Sequence, residues 1–180
     1  MVKVMTICGS LRKGSYNRML ANALPALAPD GMSIAASPAI EMPLYNADMQ
    51  EQGFPAEVTR FADTVRAADG VILVSPEYNF SVPGALKNAL DWLSRLKEQP
   101  FAGKPVALQS ASPGAVGGAR LQYDLRKILV ALDSRVLSRP EIFVAHCAGK
   151  FDDKTGDLTD STTRELLAKQ LAAFGAFIAR

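Results

Sequence analysis

The stretch Val71–Trp92, VILVSPEYNFSVPGALKNALDW, decides the fold. Its apolar, β-branched start, Val71-Ile72-Leu73-Val74, reads as a strand covered on both faces, and Ser75-Pro76 ends it. Glu77, Tyr78, Asn79 and Phe80 follow as a short polar and aromatic loop. Pro83 then opens an amphipathic helix over 83–96, with Leu86, Leu90 and Leu93 on one side. An open α/β sheet builds ligand sites from strand, loop and helix in this order, at the carboxyl ends of its strands. The expectation is a loop that holds a flat ring.

Outward from this unit the chain repeats the pattern. Val2–Cys8 is a first apolar strand, and Asn17–Ala28 carries Met19, Leu20, Ala23, Leu24 and Leu27 at helical spacing. Pro25 should kink that helix or end it early. Met32–Ala36 is a short second strand. The segment 37–54, with Pro38, Pro43 and Tyr45, reads as a long functional loop with room for a helical turn. Pro55 starts a helix with Val58, Phe61, Ala62 and Val65 inward. Val106–Ser110 is a fourth strand, and a further helix follows with Leu121, Leu125, Ile128, Leu129 and Leu132 inward. Arg135–Val144 holds a fifth strand, interrupted near Pro140. Asp152–Asp157 is a turn-rich loop beside a small hairpin, and a last helix starts near Ser161. Strands alternating with helices predict a doubly wound, five-stranded parallel sheet, order 2-1-3-4-5, with helices on both faces. Its switch point lies between the first and third strands, where the loops begin at Gly9 and Pro76.

Composition narrows the class. The 180 residues fit a single domain, 1–180, with 48% hydrophobic and 21% charged residues. No apolar run approaches the roughly 20 residues needed to span a bilayer, and the amino-terminal stretch is strand-like rather than a signal peptide, so a cytoplasmic protein is expected. Twenty basic residues against 18 acidic ones leave a net charge of +2. The bases are scattered, which argues against nucleic-acid or membrane partners. Cys8, Cys147 and the single His146 have no metal-ligand spacing, and the cysteines read as reduced, buried thiols.

Three loops could carry chemistry. The first runs Ser10, Leu11, Arg12, Lys13, Gly14, Ser15, Tyr16, Asn17 between strand and helix N-terminus, where free N–H groups and the helix dipole favour an anion. Ser15 and Asn17 would equally serve as helix caps. The order Gly14-Ser15-Tyr16 is not a Walker loop, and Gly9-Ser10-Leu11 is not a GxGxxG fingerprint, so a monophosphate fits better than ATP or a dinucleotide. The second loop, Glu77–Phe80, offers amide and backbone groups for a pyrimidine-like edge and aromatic rings for a flat face; its aromatics would otherwise plug the sheet end. The third, Ser110–Gly118, lets backbone approach a ligand, with Ser112 as a donor, or is simply a flexible turn. No Ser/His/Asp set and no G-x-S-x-G is present, so no side chain is assigned as catalytic.

The stretches GSLRKGSYN (9–17), SPEYNFSVPGALKNALDW (75–92) and GGARLQYDLRKIL (117–129) resemble the NADPH-dependent FMN reductase family, in particular its chromate and quinone reductase branch. The resemblance covers essentially the whole chain. It implies a flavodoxin-like fold and noncovalent FMN, with Ser10–Asn17 cradling the phosphate, Glu77–Phe80 holding the ring and Ser112 approaching it. It also implies NADPH or NADH as hydride donor, then a quinone, chromate, azo compound or flavin as acceptor at the same face, in ping-pong order. Homodimers or homotetramers are implied too, with Arg120, Tyr123 and Glu141 as candidate assembly contacts or ordinary surface residues. The rival readings are a flavodoxin-type electron carrier and a flavin-dependent redox-sensing module. The basic pI near 8.6 argues against the carrier, which relies on acidic charge complementarity.

Overall fold

The computed structural model describes residues 1–180. Strands β1 (Val2–Cys8), β2 (Met32–Ala36), β3 (Gly70–Val74) and β4 (Pro105–Ala111) are all parallel, and the sheet runs β2-β1-β3-β4 before its last position. Two short pieces fill that position, β5 (Arg135–Val136) and β6 (Ile142–Val144), each paired parallel to β4. The break expected near Pro140 therefore separates two strands on one edge, and the Arg139–Pro140 peptide within it is cis. The order 2-1-3-4-5 stands.

The central strands are apolar throughout because neither of their faces meets water. Every residue of β3 and of β4 is buried. Alternate residues face opposite sides. Met5, Ile7, Val71, Leu73, Val106 and Leu108 join a core with helices α3 (Ala56–Ala67), α4 (Gly84–Ser94) and α5 (Ala119–Ala131). Val4, Ile72, Val74 and Ala107 join the opposite core with α1 (Tyr16–Ala23) and α6 (Ser161–Ile178).

Pro25 does end α1 early, and the chain continues as a single 3-10 turn over Pro25–Leu27. The long 37–54 segment carries one short helix, α2 (Ala47–Glu51), capped by the Asn46 side chain. It is fastened to α4: Trp92 Nε1 donates to the Pro43 carbonyl at 2.8 Å, and Asn88 bonds both that carbonyl and the Tyr45 N–H. The expected small hairpin is a single antiparallel bridge, Phe151 to Leu158, closed by Asp152 and Asp157.

Where β1 and β3 end, the chains nearly touch. A Cβ on Gly9 would lie 2.3 Å from Ser75 Oγ, so only glycine lets the first and second loops leave the sheet side by side. No helix is long and apolar enough to cross a membrane.

Candidate active site at the sheet's carboxyl edge

The three loops meet around a cleft of about 160 Å³. Ser10, Arg12, Ser15, Tyr16 and Asn17 line it from the first loop, Glu77 and Tyr78 from the second and Ser112 from the third. Leu11, Lys13, Gly14, Asn79 and Phe80 stand outside its wall. Whole-ligand pockets run to about 300–1,000 Å³, so this cleft has the size of a phosphate and its adjoining chain rather than of a complete nucleotide.

Its floor is the amino end of α1, and that end is open. Ser15 occupies the N-cap position but its side chain caps nothing. The backbone N–H groups of Tyr16 and Asn17 find no acceptor in the protein, so donors and the helix dipole both point outward. Ser10 is nearly buried and its hydroxyl accepts from the Arg12 N–H at 3.3 Å. Orphaned donors beside a serine and an arginine are what a phosphate monoester requires, and the residues present fit the phosphate of FMN.

The Asn17 side chain links two of the loops. Its side-chain amide donates to the Ala111 carbonyl and accepts from the Ala111 N–H, both at 2.9 Å, and is buried. It ties the first loop to the third and contributes its own N–H to the open helix end. Tyr16 likewise turns its ring away, onto Phe151 at 5.8 Å between centroids.

Glu77, which lines the cleft, also serves a helix on its far side. Gly118, at the N-cap of α5, has no side chain to cap with. The Glu77 carboxylate does so from across the site, accepting from the N–H groups of Arg120 and Leu121 at 3.0 and 3.3 Å and from the Arg120 guanidinium at 3.1 Å. The same guanidinium lies over the Phe80 ring, 4.3 Å from its centroid. Tyr78 and Ser81 exchange both backbone hydrogen bonds, and the two residues between them, Asn79 and Phe80, have φ of 50° and 67°. Asparagine suits such a turn; a left-handed phenylalanine is strained, and the residue is held there 68% exposed. Ser112 accepts from the Gly114 N–H through its hydroxyl, which steadies the third loop.

Some residues that build the site are not evident by type. Arg18 reaches back to the Ser10 carbonyl at 3.4 Å, and its only advance signal is a base in the first turn of the helix. Ala111 acts through its backbone alone. Of the candidate assembly residues, Arg120 is engaged by Glu77 and Glu141 sits 3.6 Å from Arg126, while Tyr123 is largely exposed. Both thiols are unpaired and buried; burial pushes Cys8 upward and Cys147 up to about 11, away from thiolate chemistry.

A parallel sheet of order 2-1-3-4-5, with an open helix end facing the loop after β3 across its switch point, defines the flavodoxin-like class of fold. The model of the NADPH-dependent FMN reductase family matches residues 2–149, and the chain belongs to that family. It is 54% identical to a quinone reductase of Escherichia coli, over 99% of this chain and 96% of the relative. It is 46% identical to an NAD(P)H-dependent FMN reductase of Pseudomonas aeruginosa, over 99% and 96%. Among solved structures, the flavoenzyme NAD(P)H:(acceptor) oxidoreductase FerB of Paracoccus denitrificans superposes with a TM-score of 0.89 at 33% identity, covering 99% of this chain and 98% of that one. The protein is accordingly an oxidoreductase that uses FMN and NAD(P)H.

Proposed function

We propose that the protein reduces quinones with NAD(P)H, and that the loops 10–17, 77–80 and Ser112 hold the FMN that carries the electrons. The observation that carries the site assignment is the open amino end of α1, facing the same cleft as Glu77, Tyr78 and Ser112. Overall, NAD(P)H gives up a hydride and becomes NAD(P)+, while the quinone takes up that hydride equivalent and one proton from solvent and leaves as the hydroquinone. FMN, when bound, supplies the two-electron chemistry between them. The chain's own part is to hold and orient. The N–H groups of Tyr16 and Asn17, with Ser10 and Arg12, anchor the phosphate. Glu77 pins the second loop to α5, and the Asn79–Phe80 turn presents that loop's edge to the ring. No side chain is assigned a proton-transfer role.

The acceptor assignment draws on the quinone reductase relatives. Chromate and azo compounds are further acceptors in this reading, since the bound cofactor provides the reactivity, and donor and acceptor take turns in a ping-pong cycle. We place the protein in the cytoplasm, consistent with two free, buried thiols, and as a homodimer or homotetramer in which exposed Tyr123 and Phe80 are covered. The test is direct. Purified protein is expected to be yellow, or to become so with FMN, and to oxidise NADPH steadily in the presence of 1,4-benzoquinone with parallel double-reciprocal lines. Colourless protein that gains no flavin spectrum on addition of FMN defeats the proposal.

A further inference from the structure

The third wall of the cleft consists of Ala111, Ser112 and Pro113, where β4 ends and the third loop begins. Asn17 holds Ala111 from the α1 side of the sheet. On the α5 side stands Gln122, which is 1% exposed and lines no part of the cleft. Its amide nitrogen donates to the Ser110 hydroxyl and to the Ile142 carbonyl, both at 2.8 Å. The Ser110 hydroxyl in turn donates to the Gly117 carbonyl at 2.6 Å. We propose that Gln122 is a positioning residue for the flavin ring: from behind the third wall, one amide ties together β4, β6 and the far end of the third loop. This role presupposes the FMN site proposed above.

Three features single Gln122 out. First, its partners allow the amide one orientation. Ile142 can only accept, and Ser110 gives its proton to Gly117, so both require a donor. Second, the amide oxygen is buried and meets no partner in the protein. An apolar side chain of similar length would avoid that cost, so stability alone does not call for an amide here. Third, the loop that carries Ser112 lies along the chain that Gln122 grips. The Ser112 N–H donates to the Val144 carbonyl at 3.0 Å, and the Cys147 and His146 N–H groups donate to the Ser112 and Gly114 carbonyls at 3.1 and 3.2 Å. A Cβ on Gly117 would lie 2.8 Å from the backbone of Phe143. Since β6 pairs with β4 only over Gln109–Ala111, a displacement of β6 carries Ser112 with it. Gln170, from α6 on the other face, makes a similar tie without reaching the loop. It is buried too, donates to the Leu108 and Pro140 carbonyls at 3.2 and 2.7 Å, and accepts from Gln109 at 2.9 Å.

The experiment compares wild type, Gln122→Met, Ser110→Ala and Gln170→Met, each titrated with FMN, riboflavin and inorganic phosphate and each examined as FMN-saturated holoenzyme. Gln122→Met is expected to raise the Kd for FMN and for riboflavin about tenfold and to alter the visible circular dichroism of the saturated flavin. Affinity for inorganic phosphate, which reports the α1 end alone, should stay within about twofold. Ser110→Ala keeps the bond to Ile142, so a flavin loss of about threefold is expected, with the same spectral change in smaller measure. The double variant should lose less than the product of the two factors, as members of one network do. Gln170→Met should lower the urea midpoint at least as far as Gln122→Met yet leave flavin Kd within about twofold and the spectrum unchanged. Equal flavin effects in Gln122→Met and Gln170→Met, or none in either, would make Gln122 a residue of the fold only and overturn the inference. If Gln122→Met does not fold, Ser110→Ala against Gln170→Met decides by the same criterion. A loss of phosphate affinity equal to the loss for riboflavin would also overturn it, because the effect would then have passed through α1. Wild-type protein that binds phosphate but neither FMN nor riboflavin would overturn the flavin-site reading, and this role with it, whatever the variants do.

Discussion

Helices α1 and α6 pack on the same face of the sheet but begin in opposite ways. At α6 the Asp160 carboxylate accepts from the Thr163 N–H at 2.8 Å and is joined by Lys150 at 3.0 Å, so the helix end is closed by its own segment. At α1 the N-cap Ser15 leaves its hydroxyl unused and two N–H groups unpaired. A side-chain cap is worth about 1 kcal/mol, and any aspartate in the N-cap would supply it. The chain closes α6 with Asp160 and borrows Glu77 for α5, yet leaves α1 open. The difference separates a helix end closed by its own segment from one whose donors stay free, as the proposed phosphate site requires.

The most severe test of this contrast is to close α1 as α6 is closed. Ser15→Asp would cap the helix and set a carboxylate where the phosphate belongs. FMN affinity should fall about a hundredfold, the loss of a charge-assisted interaction of about 2.7 kcal/mol, while the melting temperature of the apoprotein rises. Fluorescence titration and apoprotein melts measure the two effects. An affinity loss with no gain in apoprotein stability would mean that α1 was not open in the sense argued. Next in size is Glu77→Ala, which strips α5 of a cap that also holds Arg120. Apoprotein stability to urea should drop by about 2 kcal/mol, since two backbone donors and a charge-assisted bond lose their partner together.

The smallest effect belongs to α6. Asp160→Ala should cost about 1 kcal/mol and leave FMN affinity unchanged. Hydrogen bonds from Thr163, then from Lys150, hold the Asp160 carboxyl down at about 2, below the ~3.9 of an unfolded chain. A depressed folded-state value means that this stabilisation is complete above about pH 4 and is lost as the pH falls through about 2. Urea midpoints between pH 6 and 3 should therefore decline less steeply in Asp160→Asn, which keeps a capping oxygen without the titration.

Much of the framework was legible because it depends on local pattern. Continuous apolar runs such as Val71–Val74 report burial on both faces, and Pro25 marked the end of α1 from within its own helix. The three loops at the sheet's carboxyl edge were also recognisable as strand-to-helix turns. Individual duties within them were not, because they depend on partners remote in sequence. Nothing near Glu77 in sequence shows that it also caps α5, whose N-cap Gly118 has no side chain to do so. Asn17 reads as a cap or phosphate donor until Ala111 claims both ends of its amide. Leu44, in the least regular part of the chain, carried no periodicity by which to place it, and only Trp92 and Asn88 reveal that its loop is anchored.

The Asn17–Ala111 pair has a kinetic meaning as well. Its partners are separated by 94 residues, so the bonds can form only after β1, β3 and β4 have come into register. Contacts of such separation are slow to form, because the entropy of closing the intervening chain is lost before they return anything. The cleft is thus expected to form late on the folding path, and a φ-value near zero for Asn17→Ala would show it. If FMN occupies it as proposed, FMN at a hundred times its Kd should stabilise the protein by about 2.7 kcal/mol, expressed as slower unfolding rather than faster folding.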